Sequence, residues 1–149
     1  MARTFMADEA IIVPAEAAMF RKIDHVEIVT NEPERSVEFY TGVLGFKVMF
    51  RDRVPLPDKG ALDIVYLDLG GTAVELLTYG GMPADPAPQK LQLGYRMMAL
   101  EIDDMKETLE YLKGKGIDAV WGPVYREKYD RAEIRDPSGY HIELRQWSR

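Results

Sequence analysis

The feature that most constrains this chain is an internal repeat. His25 and Met97 stand 72 residues apart, as do Asn31 and Asp103, and each pair falls at matching places in a strand-then-helix pattern. Farther along, Val74-Glu75-Leu76 matches Ile142-Glu143-Leu144 at an offset of 68, and the difference from 72 falls in loops. Self-similarity on this scale marks copies of one supersecondary unit that must bury a shared core.

Each unit reads as a strand, a helix and three strands. In the first, Ile23 to Val29 is rich in β-branched residues and alternates, with Val26 and Ile28 on one face and His25 and Glu27 on the other. Asn31 stands where it can cap a helix opened by Pro33 and Glu34. Val37, Tyr40 and Leu44 then recur at helical spacing until Gly45. Strands are expected over Phe46 to Arg51 and Leu62 to Leu69 around a loop at Pro55 and Pro57, and Gly70-Gly71 reads as a tight turn into a strand from Ala73 to Tyr79.

The second unit repeats the order. Arg96 to Ile102 reads as a strand and Asp103-Asp104 as a cap. Met105, Leu109 and Leu112 mark a helical face that Gly114 and Gly116 close. Ala119 to Trp121 and Arg131 to Arg135 follow as strands, Asp136-Pro137-Ser138-Gly139 has the residue order of a type I turn, and Tyr140 to Gln146 is the last strand. Gly80 to Gln92 holds three prolines and two glycines and reads as a linker. The expected fold is α+β, with tandem βαβββ modules forming a cup-shaped mixed sheet. Residues 1–20 would be an N-terminal arm, and 21–149 a single domain with modules at about 21–80 and 93–149.

Charge and composition remove several classes of function. A formal charge of −6 without a Lys/Arg run argues against a nucleic-acid or membrane-surface partner, since both demand a positive footprint. The absence of Cys excludes disulfides, thiolate ligands and a cysteine nucleophile. Asp8 and Glu9 interrupt the apolar N-terminal stretch and no 18-residue apolar run follows, so a cytoplasmic location is expected. No glycine-rich phosphate loop and no Ser/His/Asp order appears, so no nucleotide cofactor is expected.

The chemistry concentrates on two glutamates and a histidine. Glu75 lies between Val74 and Leu76, and Glu143 between Ile142 and Leu144, so alternation sends each carboxylate to the face opposite its apolar neighbours. A carboxylate turned inside a sheet is costly unless it is paired, hydrogen-bonded or bound to a metal. A lone strand histidine is usually structural, and a glutamate near a strand end is usually solvated. It is the repeat, with glutamates at matched strand positions, that favours a cavity shared by His25, Glu75 and Glu143. One imidazole and two carboxylates suit a divalent Zn, Ni, Co, Mn or Fe ion and leave positions open for water or substrate.

At this point the sequence resembles a known family. Asp24-His25-Val26 followed by Phe39-Tyr40-Thr41-Gly42-Val43-Leu44-Gly45-Phe46 looks like the opening signature of the vicinal oxygen chelate superfamily of glyoxalases, bleomycin-resistance proteins and extradiol dioxygenases. Asp136-Pro137-Ser138-Gly139 before Ile142-Glu143-Leu144 is similar to its closing signature, and the resemblance spans about Phe20 to Trp147. The resemblance implies ligand positions at His25, Glu75, Met97 and Glu143. Met97 departs from it, because the family's metalloenzymes place a histidine there and a thioether is a soft, weak ligand for these ions. His141, two residues before Glu143 on the same strand face, is a candidate substitute imidazole. Glu27, Glu101 and Arg131 are candidate cavity-lining residues, and Arg131 or Arg135 could orient a substrate carboxylate. Tyr66, Trp121, Tyr125 and Tyr129 could form an aromatic wall.

The resemblance implies a metal-dependent lyase or isomerase like lactoylglutathione lyase, acting on a small molecule with adjacent oxygens, with Glu143 as the proton-transferring base. A metal-free binding or sequestering protein of the bleomycin-resistance type is the alternative, which Met97 favours. A dioxygenase ranks third, since those enzymes want two histidines and a carboxylate. A homodimer is expected from the resemblance.

Overall fold

A computed structural model describes residues 19–57 and 60–149. The first module runs β1 (His25–Val29), α1 (Pro33–Glu38), a π-helical turn (Phe39–Val43), β2 (Lys47–Leu56), β3 (Gly60–Leu69) and β4 (Thr72–Tyr79). The second runs β5 (Met98–Glu101), α2 (Met105–Gly114), β6 (Trp121–Tyr125), β7 (Tyr129–Arg135) and β8 (His141–Trp147). They build two mixed four-stranded sheets, ordered β1-β4-β3-β2 and β5-β8-β7-β6. In each, the first strand pairs parallel with the last and the other pairs are antiparallel. The tandem βαβββ architecture expected from the repeat is therefore present.

Several local details differ from the sequence reading. Asn31 does not cap α1: its side chain bonds both ways with the backbone of Ala84 in the linker, and Glu32 is the cap residue without a side-chain cap bond. The Thr30 hydroxyl instead accepts from the Glu32 amide at 3.0 Å, which secures the chain as it enters the helix. Pro55 lies within β2, opposite Ala61, rather than in a loop. An edge strand tolerates this because one row of its backbone groups has no ladder partner to lose. Trp121 opens β6 where the sequence suggested a strand's end. Asp104 caps α2 as expected, accepting from the Glu107 amide at 2.7 Å. Gly70 and Gly71, with φ of 59° and 91°, make the tight β3–β4 turn that only positive φ at both positions allows. The N-terminal arm expected at 1–20 lies almost wholly outside the described residues.

One apolar core serves both modules. Ile28, Val65, Leu67, Val74 and Leu76 of the first sheet and Ala132, Ile134, Ile142 and Leu144 of the second belong to a single cluster with Tyr40, Met105 and Leu112 of the helical segments. Tyr40, Leu67, Ala132, Ile134 and Ile142 are fully buried there. Polar bonds stitch the same seam. The Tyr40 hydroxyl donates to Asp136 at 3.1 Å, and the Thr30 hydroxyl lies 2.9 Å from both Ser36 and Ser138. Since side chains alternate across a strand, the faces opposite this core, carrying His25 and Glu75 on one sheet and Glu143 on the other, look away from it. Those outer faces are open: Phe50 on the first and Trp121 and Trp147 on the second are exposed.

Candidate metal centre

On the outer face of the first sheet, β1 and β4 run side by side with Glu27 in register with Glu75 and His25 with Ala73. His25 reaches across this pair, its Nε2 3.0 Å from Glu75 Oε2 and 3.7 Å from Glu27 Oε1. The other ring nitrogen, Nδ1, lies 2.8 Å from Asp24 Oδ2, which also accepts from the Tyr66 hydroxyl at 3.2 Å. Tyr66 stacks on Phe50 at a centroid distance of 4.9 Å and stands edge-on to the His25 ring at 5.7 Å. The ring is thus held on one side by a carboxylate and presents Nε2 to two more. A second carboxylate on the far nitrogen is the arrangement that fixes the tautomer and orientation of a metal-bound histidine.

The electrostatics follow from these contacts. The Asp24 carboxylate on Nδ1 raises the pKa of His25 above the ordinary imidazole value, and Glu75 adds to this against the opposing effect of burial. In return the His25 hydrogen bond, helped by Tyr66, holds Asp24 below the usual carboxylate range. Donor atoms of His25, Glu27 and Glu75 lie within 4.8 Å of one another, and they are the one such group of three or more among the described residues. Donors on a common ion stand roughly 3–3.5 Å apart when each is about 2.0–2.2 Å from it, so the observed 3.0 and 3.7 Å fit with small side-chain movements. A nitrogen with two carboxylate oxygens also matches the chemistry of a borderline divalent ion.

The structure does not bring Glu143 to His25 and Glu75 within the chain. The donor atoms that gather around His25 come from Glu27 and Glu75 and not from Glu143. Glu143, 7% exposed, is instead clamped by guanidinium groups: Arg131 Nη2 at 3.0 Å from Oε2 and Arg145 Nε at 2.6 Å from Oε1. Arg131 also reaches Glu133 Oε1 at 2.8 Å and lies over the Trp121 ring at 4.7 Å. Arg145 lies over Tyr129 at 4.2 Å and Trp147 at 5.0 Å. His141 is bound within this network, Nδ1 to Glu133 at 3.1 Å and Nε2 to Arg135 at 3.1 Å. Met97 and His141 line one cavity of about 330 Å³ with Arg96, Glu133, Tyr95 and Tyr140. Glu101 is exposed on β5, in register with Arg145.

Glu27 was expected only to line a cavity, and Glu133 was not singled out from the sequence. Both lie two positions along a strand from a partner, Glu27 from His25 and Glu133 from Arg131, so period-two spacing held the signal.

Comparisons with known proteins agree with the fold. The sequence profile of the Glyoxalase/Bleomycin resistance protein/Dioxygenase superfamily matches residues 22–144, and the chain belongs to that superfamily. It is 31% identical over 124 residues to a lactoylglutathione lyase of Escherichia coli O157:H7, covering 80% of this chain and 88% of the relative. It is 29% identical over 127 residues to a probable chloroplastic lactoylglutathione lyase of Arabidopsis thaliana, covering 83% of this chain but only 35% of that protein. The solved trypanothione-dependent glyoxalase I of Leishmania major superposes with a TM-score of 0.63 at 28% identity, over 84% of this chain and 86% of that one. No helix among the described residues is long and apolar enough to cross a membrane.

Proposed function

We propose that this chain is a metal-dependent lyase or isomerase of the lactoylglutathione-lyase kind, acting on a small molecule with adjacent oxygens. The observation that carries the reading is the contact of His25 Nε2 with Glu75 Oε2 at 3.0 Å, on neighbouring parallel strands, with Asp24 fixing the opposite edge of the ring. His25 and Glu75 would hold a Zn, Ni, Co, Mn or Fe ion. Such an ion supplies charge stabilisation to adjacent substrate oxygens when bound.

The protein's own part is to orient and to move a proton. Tyr66 stands beside His25 with Phe50 stacked on it, and together they would form an aromatic wall for a substrate that shields the reacting carbon from water. Glu143 is the proposed base. It serves the His25–Glu75 face only when the second sheet of another copy closes over that face, and the exposed aromatic residues of the two outer faces, Phe50, Trp121 and Trp147, support a homodimer built this way. Each Glu143 oxygen keeps a lone pair beside its guanidinium bond with which to accept the proton. The proposed setting is cytoplasmic, with neither nucleic acid nor membrane as partner.

The test is metal content and lactoylglutathione formation measured together, on protein purified without affinity-tag metal. Stoichiometric metal with turnover in the wild type, and loss of both in His25→Ala and Glu75→Ala, supports the reading. Near-zero metal after incubation with each of the five ions sinks it. The second reading, a sequestering protein, is favoured by Met97 at a ligand position, and quantitative recovery of an unchanged bound ligand would select it. A monomer at micromolar concentration by sedimentation would remove Glu143 as base.

A further inference from the structure

We propose that the cavity beside the linker is a second binding site, independent of any metal, which takes a small organic acid with an apolar body. It goes beyond the lyase reading and stands on different residues, since Asp24, His25, Tyr66 and Glu75 are not among those that line it. At about 330 Å³ the space lies at the small end of the range of ligand pockets. Linker residues 88–92 line one part of it, and Met97, Glu133 and His141 of the second module another. Gln89 helps seat the linker there: its Nε2 donates to the Ala87 carbonyl at 3.0 Å and reaches the Gly139 carbonyl of the closing turn at 3.5 Å.

The charges around this cavity favour an anion. Glu133 is the one carboxylate in its lining, and both of its oxygens are already satisfied, Oε1 by Arg131 at 2.8 Å and Oε2 by His141 Nδ1 at 3.1 Å. Because His141 Nε2 accepts from Arg135, the ring proton sits on Nδ1 and goes to Glu133. Arg96 is left with a long contact, Nη2 at 3.4 Å from the oxygen that Arg131 holds, and this is the one bond of its guanidinium among the described residues. Its other donors are open to a carboxylate, the planar group that a guanidinium holds by two parallel bonds. Lys90 adds a second positive charge to the lining, a local reversal in a chain of formal charge −6. The rest of the wall suits an apolar body: Leu91, Met97, and Tyr95 lying parallel to Tyr140 at a centroid distance of 6.3 Å. The Tyr140 hydroxyl is covered and has no hydrogen-bond partner among the described residues, a need that a carboxylate oxygen answers once Tyr95, 57% exposed, moves aside. A phosphate dianion would set unmatched oxygens against these apolar walls.

The experiment is calorimetric titration of the full-length protein, with chelator present, using phenylacetate, phenylacetamide and inorganic phosphate as probes. Wild type, Arg96→Gln and His25→Ala are compared, and the methionine methyl signals are followed by NMR, with that of Met97 assigned through Met97→Leu. The expected result is one phenylacetate per chain and a ring-current shift of the Met97 methyl. The amide on wild type, and phenylacetate on Arg96→Gln, should each bind at least about tenfold more weakly, since both lose a charge-assisted bond. His25→Ala should stay within about twofold of wild type. Equal affinity for acid and amide, or unchanged affinity in Arg96→Gln, overturns the anion site. Phosphate binding as tightly as phenylacetate overturns the organic-acid class in favour of inorganic anions. A Met97 methyl that does not move beside measurable binding, or loss of binding in His25→Ala, overturns the location. No binding by the wild type up to about 10 mM phenylacetate overturns the whole inference. None of these results bears on the lyase reading, which fails separately on metal content. Arg96 is half exposed and Glu133 keeps Arg131 and His141 without it, so Arg96→Gln should fold, as an unchanged melting temperature would show. Arg96→Lys, which keeps the charge and loses the fork, should bind with intermediate affinity.

Discussion

Glu133 and Glu143 face each other directly across the β7–β8 ladder, and a single guanidinium, that of Arg131, bridges them at 2.8 and 3.0 Å. Two carboxylates at opposed positions repel, and both are nearly buried, so the cation between them, with Arg145 on the other oxygen of Glu143, makes the pair tolerable. Arg131→Met should therefore destabilise the protein by about 3–5 kcal/mol, seen as a lower urea midpoint at an unchanged m-value. Double replacement of Arg131 by Met and Glu133 by Gln should recover part of the loss, since the repulsion goes with the charge. A single replacement within 1 kcal/mol of wild type, on the order of an exposed pair, would show that solvent already screens these carboxylates.

Asp136 titrates on the seam between the modules. Burial raises its pKa above the ordinary 3.8, only partly offset by hydrogen bonds from the Tyr140 and Ser138 amides and the Tyr40 hydroxyl. A raised folded-state value means that the folded protein binds the proton more tightly than the unfolded chain. Its contribution is complete below the unfolded value and fades as pH rises through the folded one. The stability of wild type relative to Asp136→Asn should accordingly fall as pH rises from about 4 through the acid range, in paired chemical denaturation series. A difference that grows with pH would contradict this sign.

Gly122 carries no side chain for a geometric reason. Its φ is +79°, and an added Cβ would stand 2.8 Å from the carbonyl oxygen of Arg131 and 3.1 Å from Ala132 Cα, both backbone atoms that cannot swing aside. Gly122→Ala pays about 1–3 kcal/mol for the left-handed backbone alone, before the overlap. It should push β6 away from β7, lower thermal stability and loosen Trp121 from Arg131, which tryptophan fluorescence would report.

Metal removal should be visible in stability as well as in chemistry. An ion at a hundredfold excess over its dissociation constant adds about 2.7 kcal/mol, or roughly 5–10 °C for a chain of this size. Chelation of the loaded wild type should lose that increment. His25→Ala should melt at the same temperature with and without the ion.

The parts of this fold that the sequence disclosed were those governed by local spacing. Alternation placed β1, β4 and β8, Gly70-Gly71 marked a turn that needs positive φ, and Asp104 met a helix start whose amides needed an acceptor. Asn31 misled because the same side chain that caps a helix also satisfies the backbone at Ala84, and only the path of the linker decides between them. Of the candidate site, the meeting of His25 with Glu75 was legible from matched strand positions. The separation of Glu143 was not, because strand pattern shows which face a residue occupies and not which way two sheets are turned about their core. The arginine clamp lay within reach, since Arg145 follows Glu143 by two positions, but isolated arginines on strands ordinarily face water.

Thr30, buried at 2% exposure, joins the end of the histidine-bearing strand to Ser36 of its own helix and to Ser138 in the closing turn of the other module. Cut apart at the linker, the first half would keep the bonds of Thr30 to Ser36 and Glu32 but lose the one to Ser138, and each half would expose its share of a common core. The duplicated units have in this way given up their independence: a substitution at the hydroxyl knot in either one is felt in the other.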